Sequence, residues 1–360
     1  MKKVDFDNEF KNPGSEYRSI PFWAWNDELD TDEIRRQIRE MKSCGIGGFF
    51  IHSRDGLETE YLSDKWFECV SAAVDEAKKN GMFSWLYDED RWPSGTCGGS
   101  ITATDKNGCK GLTLEVCFSV PEKIEGNVLV LYKAEVHEME IYSLERICNA
   151  DGLILSDKEA LLIARLEVSG KSEWFNNSAP PDNLSFDTVS DFINNTHKIY
   201  KKAVGSEFGK TIPGIFTDEP SLADRHASFN PNRSWIPWTE EFEKYFFEKR
   251  GYDVLDMIPY FYFNGEKSAK IRHDYWRTVS ERFKEAYSVQ IGDWCRENNL
   301  LFTGHFLQED KMGLSCRVNG SVMPHYAAED IQAIDMLTER TEEYLSLIHI
   351  SEPTRRTPIS

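Results

Sequence analysis

Short apolar runs alternate with amphipathic helical stretches in this chain, and most of the runs end in polar residues. "IPFWAWN" (20–26), "GGFFIHS" (47–53), "FSWLYDED" (83–90), "TIPGIFTDEP" (211–220) and "LFTGHF" (301–306) read as strands, with "AIDML" (333–337) as a sixth. Between the first three lie "DTDEIRRQIREMKSCG" (30–45) and "SDKWFECVSAAVDEAKKNG" (63–81). In the first, Asp30 or Thr31 can cap, and Ile34, Ile38 and Met41 share one helical face. The second starts at serine, carries lysines in its last turn and stops at glycine. Strand–helix units recurring about every thirty residues require parallel strands joined by crossover helices.

The pattern breaks after "RWPSGTCGGS". From 101 to 179, segments such as "LTLEVCFSV", "NVLVLYKAEV" and "ALLIARLEV" are strand-like and separated by turn residues, so an antiparallel β insertion is expected after strand three. Alternation resumes with helices over 185–205, 239–251 and about 269–297. The expected fold is an α/β (β/α)8 TIM barrel, whose active face is built from the loops at the strands' C-terminal ends. A doubly wound sheet fits less well, because "GIGGFF" places its glycines before a strand and a phosphate-binding fingerprint comes after one. Six strands by Leu337 make the barrel incomplete, two short of eight. The expected divisions are 1–100 for strands one to three, 101–180 for the insertion and 181–345 for strands four to six. The last stretch, "SLIHISEPTRRTPIS" (346–360), has no period and reads as a non-native, adapter-derived tail.

Composition narrows the function. With 61 acidic against 42 basic residues the formal charge is −19, which argues against nucleic acid, since phosphate binding needs a basic face. No run approaches the ~18 apolar residues of a membrane helix, and "MKKVDFDNEF" has no apolar stretch behind its lysines. A cytoplasmic protein without a membrane partner is expected. Eight scattered cysteines with no CxxC pair read as reduced thiols.

The polar strand ends supply the candidate site. Glu219, at the tip of "GIFTDEP", is walled by Phe216 and followed by Pro220. Partial desolvation there raises a carboxyl pKa, as a general acid requires. "YDEDRWPSG" suits a sugar: Asp88, Asp90 and neighbouring carboxylates accept from hydroxyls, Arg91 donates, and Trp92 offers an apolar face. Asn26, His52, Arg54, Asp218 and His305 stand at other strand ends and would line the same pocket. His52, His305, Asp88 and Glu219 match no tight metal-ligand spacing, so no metal and no cofactor are expected.

The stretches "PFWAWNDELDTDEIRRQIREMKSCGIGGFFIHSRDGL", "YLSDKWFECV", "AKKNGMFSWLYDEDRWPSG", "GIFTDEP" and "TGHF" resemble the catalytic barrel of large bacterial glycoside hydrolases, in particular the α-L-rhamnosidase-like group around glycoside hydrolase family 106. The resemblance spans most of residues 17–340. It implies a carbohydrate substrate, with β-sandwich domains following the barrel that are absent from this chain. It matches Glu219 to the acid carboxylate after strand four, and makes Glu309 in "GHFLQED" the candidate second carboxylate. A non-catalytic carbohydrate-binding protein and a metal-dependent barrel hydrolase are the rival readings.

Overall fold

Helices and strands form where the two periodicities place them. In the computed structural model, which describes residues 6–222, 235–309 and 311–335, Asp30 caps the helix Thr31–Ser43 by accepting from the Asp32 and Glu33 amides. Ile34 and Ile38 are its buried stripe. Ser63 caps the helix Asp64–Lys79 in the same way, and that helix buries Trp66, Val70, Ala73 and Ala77.

Six parallel strands form the main sheet: β1 (Phe22–Trp25), β2 (Gly48–Ser53), β3 (Phe83–Tyr87), β8 (Gly214–Asp218), β10 (Leu301–His305) and β11 (Ile331–Gln332). They lie side by side in chain order, without the reversal that defines a doubly wound sheet. The register aligns Ala24 with His52 and Asp218 with His305, so the strands finish at a common edge. Side chains alternate across the sheet. Trp23 and Trp25 point to one side, where Trp23 Nε1 donates to Gln37 at 3.0 Å and Trp25 packs on Trp66 with ring centroids 5.1 Å apart. Phe22, Phe50, His52, Tyr87 and Phe216 gather on the other, with Phe22 and Phe216 centroids 4.9 Å apart.

Two expectations change here. Among the described residues the sheet is open, with β1 and β11 as its edges, so a closed barrel is not formed by them. Phe22, at the edge strand β1, is 49% exposed. The sixth strand is Ile331–Gln332, two residues before the expected 333–337, because Thr303 and Gly304 of β10 pair with Ile331 and Gln332. Residues 336 and 337, Asp310 and the tail from Ser346 lie outside the described residues.

The second sheet is antiparallel and consists of β4 (Lys110–Cys117), β5 (Val128–His137), β6 (Glu140–Ile147), β7 (Glu159–Val168) and β9 (Ile236–Trp238), in the order β6-β5-β7-β4-β9. β9 pairs with β4 through Gly111↔Pro237, so this sheet recruits a strand from well beyond residue 180. The chain is thus a mixed α/β protein with one parallel and one antiparallel sheet, and all eight cysteines are free. Among the described residues no helix is long and apolar enough to cross a membrane.

Close packing of β8 on β10 depends on Gly304. A Cβ there would stand 2.3 Å from the Thr217 carbonyl oxygen, a backbone atom that cannot swing aside. Gly304→Ala should therefore lower stability by about 1–3 kcal/mol through overpacking. Urea unfolding of the two proteins measures this, and an unchanged midpoint would contradict the tight β8–β10 approach.

Candidate active site

Asp218 and Glu219 are adjacent, and the fold gives them opposite surroundings. Asp218, the last residue of β8, is buried and fully engaged. His305 Nε2 lies 2.7 Å from Asp218 Oδ1, and Tyr87 Oη donates to Oδ2 at 2.6 Å. Its amide donates to Ser94 Oγ at 2.8 Å, while the Ser94 amide donates to the Asp218 carbonyl at the same distance. Burial pushes the Asp218 pKa up, but the His305 and Tyr87 hydrogen bonds outweigh it and hold the carboxyl below its usual value. Glu219 then adopts a left-handed backbone with φ at 45°, and its amide donates to the His305 carbonyl at 3.0 Å. That conformation is strained for a non-glycine residue and persists where neighbours enforce it. The turn leaves the Glu219 side chain half-buried instead of sealed in.

His305 sits between two carboxylates. Its Nε2 faces Asp218, and its Nδ1 is 3.6 Å from Glu309 Oε1. Burial lowers its pKa, but the interactions with Asp218 and Glu309 overcome this and bring it up to about 11, so the ring is an imidazolium at neutral pH. His52 is the opposite case. Burial, opposed by Asp218 and aided by Arg54, brings it down to about 4, and the neutral ring packs on Tyr87 with centroids 4.0 Å apart.

Glu309 is a brace. Its Oε2 accepts from the Phe306 amide at 3.2 Å and the Tyr326 hydroxyl at 3.0 Å, and its Oε1 accepts from the Asp335 amide at 2.5 Å. A second carboxylate, Asp335, approaches Glu219: one ligand atom each from Glu219, His305 and Asp335 lie within 4.8 Å of one another. Burial raises the Asp335 pKa, and Glu329 nearby is driven up to about 9 by burial and by Glu309.

The loop after β3 is organised by a residue that sequence reading passed over. Glu89 is buried and accepts five amide hydrogens: Oε2 from Gly95, Thr96 and Cys97 at 3.0, 2.7 and 2.9 Å, Oε1 from Asp90 at 2.9 Å and Gly98 at 2.5 Å. Asp88 has no exposure and accepts from Ser94 Oγ at 2.5 Å, and burial holds its pKa well above the ordinary value. Asp90 accepts from Ser53 Oγ at 2.7 Å and Asn176 Nδ2 at 2.9 Å. Arg91 reaches Asp55 at 3.2 Å and also donates to Asn176, while the Arg54 guanidinium lies over Trp92, 4.0 Å from its ring centre. Arg54, Arg91 and Trp92 are half-buried, and Asn26 is exposed beyond β1. Two groupings result: His52, Asp218, Glu219, His305 and Glu309 around the β8–β10 edge, and Arg54, Asp90, Arg91 and Trp92 on the β3 loop.

Tyr87 and Asp335 were missed for one reason. Tyr87 reads as the last apolar residue of its strand, and Asp335 falls inside a segment expected to be strand. Applying the apolar-to-polar rule to "AIDML" with β11 ending at Gln332 would have found Asp335.

No protein-family model matches the chain. A protein of Formosa agariphila named "Putative beta-glucuronidase" is 19% identical over 83% of this chain and 30% of its own length. A rhamnosidase structure from Novosphingobium sp. PP1Y superposes with a TM-score of 0.62 at 12% identity, covering 91% of this chain and 49% of that chain. A beta-galactosidase from the haloarchaeon Halorubrum lacusprofundi gives a TM-score of 0.43 at 11% identity, covering 91% and 42%. The chain thus spans half or less of the length of each, and it shares the rhamnosidase's fold.

The His305 shift has a sign that can be checked. A pKa raised from 6.5 to about 11 means that the folded state holds the proton more tightly, so its stabilisation is complete below pH 6.5 and fades as pH rises towards 11. The stability difference between wild type and His305→Gln should therefore shrink from pH 6 to pH 9, by at most about 1.4 kcal/mol per pH unit. Urea midpoints at the two pH values measure it, and a constant difference would contradict a protonated His305.

Proposed function

We propose that this chain is part of the catalytic region of a glycoside hydrolase, with the six parallel strands belonging to a (β/α)8 barrel that the described residues leave open. The observation that carries the proposal is the pairing of β8 with β10. It seats Glu219 at the strand ends, half-buried, beside an imidazolium clamped between Asp218 and Glu309. The fold shared with a rhamnosidase supports the substrate class. In this reading Glu219 is the general acid that protonates the leaving glycosidic oxygen, a step worth typically ~10²–10⁴ in rate. His305 and Asp218 hold its surroundings. The half-buried Trp92 with Arg54 and Arg91, together with Asn26, His52 and Asp90, supplies sugar contacts, whereas Asp88, with no exposure, shapes the loop. The sugar would be an oligo- or polysaccharide unit. A binding protein without catalysis predicts affinity with no hydrolysis.

A cation offers a second reading, favoured by the cluster of Glu219, His305 and Asp335. Asp218 against Nε2 of His305 is a carboxylate–histidine pairing of the kind that commonly backs a metal ligand bound through the ring's other nitrogen. A metal would replace the proton His305 carries and would position the sugar hydroxyls.

Two measurements on the full-length enzyme test these readings, using 4-nitrophenyl α-L-rhamnoside, β-D-glucuronide and β-D-galactoside. Glu219→Gln should lower kcat by about 10²–10⁴ with KM changed only a few-fold. A variant as active as wild type would remove Glu219 from the acid role. Activity lost on dialysis against a chelator and restored by calcium or zinc would establish the cation reading, and activity indifferent to chelation would exclude it.

A further inference from the structure

The loops after β2 and β3 interlock through two arginines that the fold treats differently. Arg54 follows directly on β2, its amide donating to the Trp25 carbonyl at 3.0 Å, and its guanidinium lies 4.0 Å from the Trp92 ring centre. Arg91 runs the other way, reaching Asp55 at 3.2 Å and donating to Asn176. The Arg91 charge is thus matched by a carboxylate, and its side chain braces the two loops. Arg54 is not matched. Among the described residues no carboxylate, carbonyl or hydroxyl accepts from its guanidinium, and the Trp92 indole is its neighbour. The other half-buried arginines among the described residues each donate to such an acceptor. With 61 acidic residues in the chain, a half-buried guanidinium without one is a departure that calls for a ligand.

Arg54 also stands at the site. Ser53 before it is anchored on Asp90 at 2.7 Å, and the His52 ring is within electrostatic reach of both Arg54 and Asp218. Tyr87 Oη ties the β3 loop to the end of β8, lying 2.6 Å from the Arg91 carbonyl and 2.6 Å from Asp218 Oδ2. The charge on His305 is already taken by Asp218 and Glu309. Arg54 is therefore the cation at these strand ends whose donors remain open.

We propose, building on the glycoside hydrolase reading, that Arg54 determines specificity and that the sugar it selects carries an anion, a uronate carboxylate or a sulfate ester. A guanidinium stacked on an indole keeps its in-plane N–H groups, whose fork matches two oxygens of either anion. In a chain of formal charge −19 such a sugar approaches against the overall field, so a local cation is what favours it over a neutral one.

The test titrates the full-length protein with D-glucuronate, D-galacturonate and D-mannuronate, their neutral parent hexoses and the corresponding hexose 6-sulfates, followed by saturation-transfer NMR. These monosaccharides have no glycosidic bond, so the readout is binding, independent of turnover. At least one charged sugar should bind about tenfold or more tightly than its parent. Raising salt from about 50 mM to about 500 mM should narrow that gap. Uronate bound above 6-sulfate identifies a carboxylate ligand, and the reverse order a sulfate ester. Arg54→Met keeps an apolar stem against Trp92, so it should fold as wild type while the preference shrinks to within about twofold. Arg54→Lys, which keeps the charge and loses the fork, should fall between the two. Charged and neutral sugars bound equally by wild type, or a preference that survives Arg54→Met, would overturn the assignment while leaving the glycosidase reading intact. An anion preference lost with Arg54, in a protein that hydrolyses no glycoside, would uphold the assignment and remove the glycosidase reading.

Discussion

The contact between Asp218 and His305 is what the rest of the site depends on. These residues are partners in the β8–β10 register, and their side chains meet at 2.7 Å where both strands end. A carboxylate and an imidazole taken out of water each carry a desolvation cost that only a well-made pair offsets. Here Tyr87 and the Ser94 amide–hydroxyl exchange complete the hydrogen bonding of Asp218, and Glu309 approaches the far side of His305. The pair therefore fixes more than itself. It sets the imidazole that Glu219 and Asp335 face, and the backbone around it forces Glu219 into its left-handed turn.

That turn explains how two neighbouring carboxylates can end a buried strand. One is held as a carboxylate against His305 and Tyr87, and the other leaves the strand in a left-handed turn. Acidic groups are otherwise concentrated here, with Asp218, Glu219, Glu309, Glu329 and Asp335 around a single histidine. Such a density of like charge in low dielectric requires protons or cations to be shared among the groups. The upward shifts of Glu329 and Asp335 together with the protonated His305 are the form that sharing takes among the described residues.

Much of the scaffold was legible because periodicity is a local property. The caps at Asp30 and Ser63, the buried stripe Ile34 and Ile38, and five of the six parallel strands come from residue spacing alone. The sixth strand shifted because it pairs over only two residues, where the partner strand outweighs local preference. Site residues were legible by position and not by role. "GHFLQED" places Glu309 correctly after a strand, but nothing local reveals that Tyr326 and Asp335, 17 and 26 residues on, will occupy its oxygens. Glu89 is the same lesson reversed. Between two aspartates it looks like one more surface acid, and only the folded "SGTCGG" loop turns five amides towards it.

Glycoside cleavage at this centre requires a sugar against Glu219 at the β8–β10 edge. A crystal structure of the full-length Glu219→Gln protein, soaked with a glycoside that the wild type turns over, examines this directly. The expected result is a ring whose glycosidic oxygen lies within hydrogen-bond reach of the side chain of residue 219. Sugar density seated elsewhere, with Glu219 in contact only with solvent, would contradict it.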